Sequence, residues 1–234
     1  MFVPSNFKPR DNDELADDYN ERGISYFNLA KYPEAVKEFT KAIKVIGNEP
    51  DYYFNRGLAY YSLKMLEQAV EDYRKSISLL PDHADYYNAL GAAQEDLGDL
   101  DDAEASFTKA IELEKDVPDY YYNRGNVLWK KNKLEEALRD YGEAVRLNSM
   151  DQIFVYRRHE LLVHMKKYQE ALMDINRSIQ LVPENYQYHL VKAELLEKMQ
   201  KYREALESLE EASRYVPDPD LLNQRKAMLL EKIK

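Results

Sequence analysis

The chain has 234 residues, 44% of them hydrophobic and 12% aromatic, which is too apolar for a disordered polymer. Its 33 Lys and Arg stand against 43 Asp and Glu, a net charge of −10, and such a surface repels phosphate backbones and argues against nucleic acid as a partner. There is no Cys, so disulfides and thiolate metal sites are excluded.

Residues 1–15, MFVPSNFKPRDNDEL, carry Pro4 and Pro9 and read as a flexible lead-in. They contain no apolar run behind a basic flank, so they are not a secretory signal. No stretch of about 18 apolar residues is present to cross a bilayer. A soluble chain in the reducing cytoplasm is expected.

From residue 16 the text repeats. The phrase YYFNRGLAYY at residues 52–61 returns as YYYNRGNVLW at residues 120–129, an offset of 68. Half of that offset is the true period. Gly23, Gly57, Gly91 and Gly125 are each 34 apart. Ala35, Ala69, Ala103, Ala137, Ala171 and Ala205 keep the step of 34 without an insertion, and so do Ala42, Ser76, Ala110, Ala144, Ser178 and Ala212. The spacing divides the chain into six repeats, 16–49, 50–83, 84–117, 118–151, 152–185 and 186–219.

Each repeat reads as two helices. In the second, Tyr53, Gly57, Tyr60 and Tyr61 share one face of a first helix, and Leu66, Ala69, Val70, Tyr73 and Ile77 one face of a second. Gly98 and Asn132 fall where a left-handed helix end is easiest. Pro33 suits the first turn of a second helix. Pro81, Pro183 and Pro217 punctuate the ends of repeats. Gly57 and Ala69 are expected at a close crossing inside one repeat, and Ser76 facing the first helix of the next. His159 and Ala193 replace the glycine in repeats five and six, so the crossing in repeat five is expected to be looser or shifted. Residues 220–234, DLLNQRKAMLLEKIK, read as an amphipathic helix capping the last exposed face.

Tyr53, Arg56, Gly57, Tyr60, Ala69, Tyr73, Ser76 and Pro81 stand at places 4, 7, 8, 11, 20, 24, 27 and 32 of the second repeat. This pattern resembles the tetratricopeptide repeat family over residues 16–219. The resemblance implies an all-α, right-handed solenoid of tandem helix–turn–helix repeats. It implies an interaction scaffold with no enzymatic activity and no cofactor, binding a protein or peptide along a concave wall of first helices.

By that resemblance the inward places are 2, 5, 6, 9, 12 and 13 of each repeat. They hold an amide series, Asn20, Asn55, Asn88 and Asn123, with Asn126 at the ninth place of repeat four. An amide both donates and accepts, so a row of them can hold a peptide backbone regardless of its sequence. The alternative is polar filler on an exposed face. Asp17, Asp51, Asp85 and Asp119 recur at the second place, where they complement the helix dipole or form an acidic strip for a basic peptide. Phe27, Phe54, Tyr61, Tyr122, Trp129 and Tyr156 are aromatic candidates, followed by Lys130, Arg157, His164 and Lys198. Trp129 is the only Trp and adjoins Lys130. Aromatic and Arg anchors dominate interface energetics.

Charge is uneven along this wall. Residues 1–117 hold 13 basic and 24 acidic residues, a balance of −11, whereas residues 118–234 hold 20 and 19, a balance of +1. A partner with its basic end toward the early repeats is expected. The family's chaperone-tail adaptors clamp acidic C-termini with Lys, Asn and Arg. Of the places they use, only Asn123 and Arg157 match in repeats three to five, so an incomplete clamp is the second reading and an architectural spacer the third. HELLVH at residues 159–164 fails as a zinc motif because His159 and His164 lie about 140° apart on a helix. GDLDDAE at residues 98–104 lacks the spacing of a calcium loop. No metal is expected.

Overall fold

The computed structural model describes residues 11–234, and its described helices form two compact bodies that divide between Asp116 and Val117. The N-terminal body runs α1 (Asn12–Asn28), α2 (Tyr32–Val45), α3 (Pro50–Ser62), α4 (Leu66–Leu79), α5 (Ala84–Leu97) and α6 (Leu100–Leu113). The C-terminal body runs α7 (Pro118–Lys130), α8 (Leu134–Leu147), α9 (Gln152–His164), α10 (Tyr168–Leu181), α11 (Tyr186–Lys198) and α12 (Tyr202–Ala212). A 3-10 turn over Pro219–Leu222 leads into α13 (Asn223–Ile233). No strand occurs among the described residues. Each body is an all-α solenoid segment in which a first helix packs on its second, and that second helix on the next first helix.

The period is written into the helix starts. First helices after α1 begin at Pro50, Ala84, Pro118, Gln152 and Tyr186, and second helices at Tyr32, Leu66, Leu100, Leu134, Tyr168 and Tyr202. The alanines of both ladders, and Ser76 and Ser178, are fully buried, because no larger side chain fits where the helices cross. Residues 1–10 of the expected lead-in lie outside the described residues, but its last four are helical. Asp13 and Glu14 occupy the first turn of α1, where carboxylates favour the positive end of the dipole, and nothing after Pro9 interrupts the helix.

The close approach differs from the expected Gly57–Ala69 crossing. A Cβ on Gly57 would lie 2.6 Å from the Tyr73 ring, and one on Gly23, Gly91 or Gly125 would lie 2.5, 2.8 or 2.7 Å from Phe39, Phe107 or Tyr141. The glycine at place 8 therefore seats the aromatic ring at place 24. Where the glycine is lost, the ring is lost too. His159 faces Ile175 and Ala193 faces Leu209 at the corresponding places, all four buried. The larger residue in repeat five is thus met by a smaller one opposite, and the His159 Nδ1–H donates to the Ala171 carbonyl at 2.8 Å. Ser76 also departs from expectation. Its hydroxyl donates to the Pro50 carbonyl of its own repeat at 3.0 Å.

The left-handed helix ends recur at the same step. Ala30, Lys64, Asn132, Lys166 and Gln200 have φ between 55° and 60°, and Gly98 has φ 89°. At each, the following N–H returns to a carbonyl five residues back, as Met65 does to Tyr60 at 2.9 Å and Lys167 to Leu162 at 2.8 Å. Those bonds satisfy orphan helix carbonyls and hold side chains in a region only glycine enters freely. Within repeats, Arg56 pairs with Asp72, Arg124 with Asp140 and Arg158 with Asp174, each through two nitrogens at 2.6–2.8 Å.

The helix α13 packs against α12. Leu222 and Leu229 are buried at the register that Tyr52 and Ala59 hold in repeat two, so α13 continues the array as one more first helix. Arg225 reaches back to Glu197 at 2.6 Å and Glu194 at 3.3 Å.

Candidate functional site

The wall of the N-terminal body is made by α1, α3 and α5. Its acidic row is tied into the stack: the Tyr52 hydroxyl donates to Asp17 at 2.6 Å, and the Tyr86 hydroxyl to Asp51. Burial first, then the neighbouring carboxylate, pushes both phenols above their ordinary range, so they stay protonated donors. The carboxylates thus serve inter-repeat bonding as well as the dipole. Neither role was separable from sequence, although Asp followed by Tyr 35 residues later is a readable signal.

The amide row is also partly self-paired. Asn55 Nδ2 donates to Asn20 Oδ1 at 3.0 Å, which uses one donor and one acceptor and leaves the Asn20 amide N–H groups and the Asn55 carbonyl without another partner among the described residues. Asn88 and Asn123 are half-buried and already engaged.

Between α3 and α5 lies a slot of about 230 Å³ lined by Phe54, Leu58, Tyr61, Tyr73, Ala89 and Ala92, with Asp85 and Asn88 on its wall. It gathers four inward candidates, Phe54, Tyr61, Asp85 and Asn88. It adds Tyr73, from the apolar face of the second helix α4. Phe54 is fixed by ring contacts to Tyr86 at 4.8 Å and Tyr73 at 5.8 Å. Burial and a hydrogen bond to Asp96 push the Tyr61 phenol up to about 12. Lys64 sits 3.3 Å from Asp96 and 5.2 Å over the Tyr61 ring.

In the C-terminal body, α7 and α9 bring four other candidates together. The Arg157 guanidinium lies 4.8 Å over the Trp129 ring, donates to Asn126 Oδ1 at 3.2 Å and to Glu160 at 3.0 Å. The Tyr141 hydroxyl donates to the same Asn126 oxygen at 2.8 Å. Burial opposes the Arg157 charge, but its bonds to Glu160 and Tyr141 outweigh that and raise its pKa. Trp129 also meets Tyr141 at 6.2 Å and His164 at 6.0 Å. The cation over Trp129 is Arg157, and Lys130 is exposed. Tyr156, half-buried, packs on Tyr188 at 5.6 Å. Glu160 already pairs with the Arg157 guanidinium through Nη1.

His159 is buried and His164 exposed, and no group of three potential metal ligands occurs among the described residues. No described helix is long and apolar enough to cross a membrane.

The tetratricopeptide repeat pattern matches residues 50–83 and 118–151, and two related patterns of the same repeat match 72–105 and 96–132. The chain is a tetratricopeptide repeat protein. Among solved structures it is similar to YrrB, a TPR protein with an unusual peptide-binding site, at 25% identity and TM-score 0.66 over 81% of this chain and 97% of that one. It is also similar to pilF of Pseudomonas aeruginosa, at 19% identity and TM-score 0.73 over 93% and 99%. MamA matches at 19% identity and TM-score 0.67 over 73% and 93%. No curated protein matches the sequence. The repeat is in general a non-catalytic module for protein interaction, and this tetratricopeptide repeat protein has the fold of one.

Proposed function

We propose that this protein is a scaffold that holds a peptide or protein segment along the wall of its first helices. The observation that carries the reading is the open slot between α3 and α5, whose aromatic and apolar lining includes Asn88 of the amide row. Aromatic anchors with amides beside them can grip both side chains and backbone. The peptide-binding site of the similar protein YrrB agrees with that use. The acidic balance of residues 1–117 favours a segment that places positive charge against the N-terminal body.

The test blocks the slot. Ala92→Trp fills it from α5, and Met173→Ala, at an exposed position of α10, serves as the control. Proteins captured from the source cell by the wild type and by Met173→Ala, but lost from Ala92→Trp with its circular dichroism unchanged, support the wall. Equal capture by all three refutes it and turns attention to the spacer reading.

A further inference from the structure

Repeats two and four share a phrase and also share Tyr at place 24, as Tyr73 and Tyr141. Around Tyr141, the ninth and twelfth places are Asn126 and Trp129, and the sixth place of the next repeat is Arg157. These side chains complete one another. The phenol donates to Asn126, and the guanidinium lies over Trp129 and bonds to Asn126 and Tyr141. Around Tyr73 the same three places hold Leu58, Tyr61 and Ala89. The aromatic platform and the phenol are kept, while the guanidinium and the amide are absent. What that leaves is the slot of about 230 Å³.

Tyr73 is 1% exposed and lines this slot, and its hydroxyl has no hydrogen-bond partner among the described residues. The hydroxyl is the tip of that ring that the slot reaches, and it can both donate to and accept from a polar group placed there. We infer that the slot receives an arginine side chain supplied by the bound segment, in the position that Arg157 fills from within the chain two repeats later. The inference rests on the wall reading above and gives the chemistry of its anchor.

The register supports it a second time. Arg225 stands at the sixth place after repeat six, and it too lands on the ninth and twelfth places before it, Glu194 and Glu197. A guanidinium from this place thus bridges consecutive first helices twice, at Arg157 and Arg225, whereas Asn55, Asn123 and Val191 hold the place elsewhere and Ala89 is the smallest side chain there. The slot suits that group: Asp85 lines it, and the Tyr61 ring already draws one cation, Lys64. The planar guanidinium can stack and bond at once, which an ammonium cannot. A carboxylate would meet Asp85 and Asp96 and is disfavoured.

The probes are capped tripeptides, acetyl-Ala-Xaa-Ala-amide, with Xaa arginine, citrulline or glutamate, titrated into the whole protein and followed by backbone NMR. The arginine probe should shift the signals of Tyr61, Ala89 and Ala92 and bind about tenfold tighter than its neutral citrulline twin, with no binding by glutamate. Ala89→Arg should abolish that site by filling it. Arg157→Ala should open a second one, read as a change in Trp129 fluorescence on adding the arginine probe. Equal binding of arginine and citrulline, shifts elsewhere, or no second site in Arg157→Ala overturns the inference, and the last arm stands even if Ala89→Arg does not fold. If the arginine probe fails while Ala92→Trp still releases captured partners, the anchor chemistry is wrong and the wall survives.

Discussion

Gly91→Ala is the sharpest probe of the packing rule. Its new Cβ would lie 2.8, 2.9 and 3.0 Å from three carbons of the Phe107 ring, which is fully buried. Overpacking of this kind costs typically 1–3 kcal/mol, and a ring with no free direction belongs at the upper end. Alanine is a better helix former than glycine by about 1 kcal/mol, so the net loss should be about 2 kcal/mol. Phe107→Leu alone should lose about 1–2 kcal/mol by leaving a void. The double variant recreates the Ala193–Leu209 pair of repeat six and should recover much of the loss, with a coupling of about 2 kcal/mol. Urea unfolding followed by circular dichroism at constant slope measures each value. If Gly91→Ala is as stable as the wild type, or if the two changes simply add, the ring does not need that glycine and the rule is wrong.

Three further outcomes follow from the same geometry. Lys64→Gly and Lys166→Gly relieve a left-handed residue and should each stabilise by about 0.5–1 kcal/mol, whereas Gly98→Ala should destabilise by about 1 kcal/mol, all read by urea unfolding. Burial holds the His159 pKa below its ordinary value, so the folded state binds its proton less readily than the unfolded one. Its contribution is whole above about pH 6.5 and is lost as pH falls further; melting temperatures from about pH 7 to about pH 5 should drop, and His159→Gln should flatten that drop. Arg158→Leu strands the buried Asp174 carboxylate and should cost about 3 kcal/mol. Adding Asp174→Ser recreates the Leu90–Ser106 combination of repeat three, so the double variant should lose under about 1 kcal/mol in the same urea assay.

The stack was legible because its constraints are periodic. Every step of 34 puts a small residue at the same crossing, so the two alanine ladders and the helix starts follow from spacing alone. What spacing could not separate were neighbours on one helix and partners on two. Tyr53 was expected on the buried face, yet Tyr52 is the buried one, because two adjacent tyrosines offer the same apolar area and only the stack chooses between them. Gly57 was matched to Ala69 rather than Tyr73, since a close approach between helices depends on their crossing and not on their order. The Arg56, Arg124 and Arg158 pairs with Asp 16 residues on could have been read from the repeat itself. They stand where the family pattern has Leu, and the later Asp is the signal.

The candidate wall was legible in part. Asn126, Trp129 and Arg157 meet, as do Phe54, Tyr61, Asp85 and Asn88. Pairing within the wall stayed hidden, because the Asn20–Asn55 bond and the Arg157–Trp129 stack depend on the offset between first helices, which sequence does not contain. The vacancy at Ala89 emerges only when the occupied place at Arg157 is laid beside it.

The most direct measurement places a photoreactive benzoylphenylalanine at Tyr61 on the first-helix wall or at Met173 on a second helix, and compares what each crosslinks in the source cell. Partner bands from the Tyr61 position, absent from Met173, are the predicted result. The same partners crosslinked from Met173 but not from Tyr61 would put the binding surface on the second helices and contradict the account.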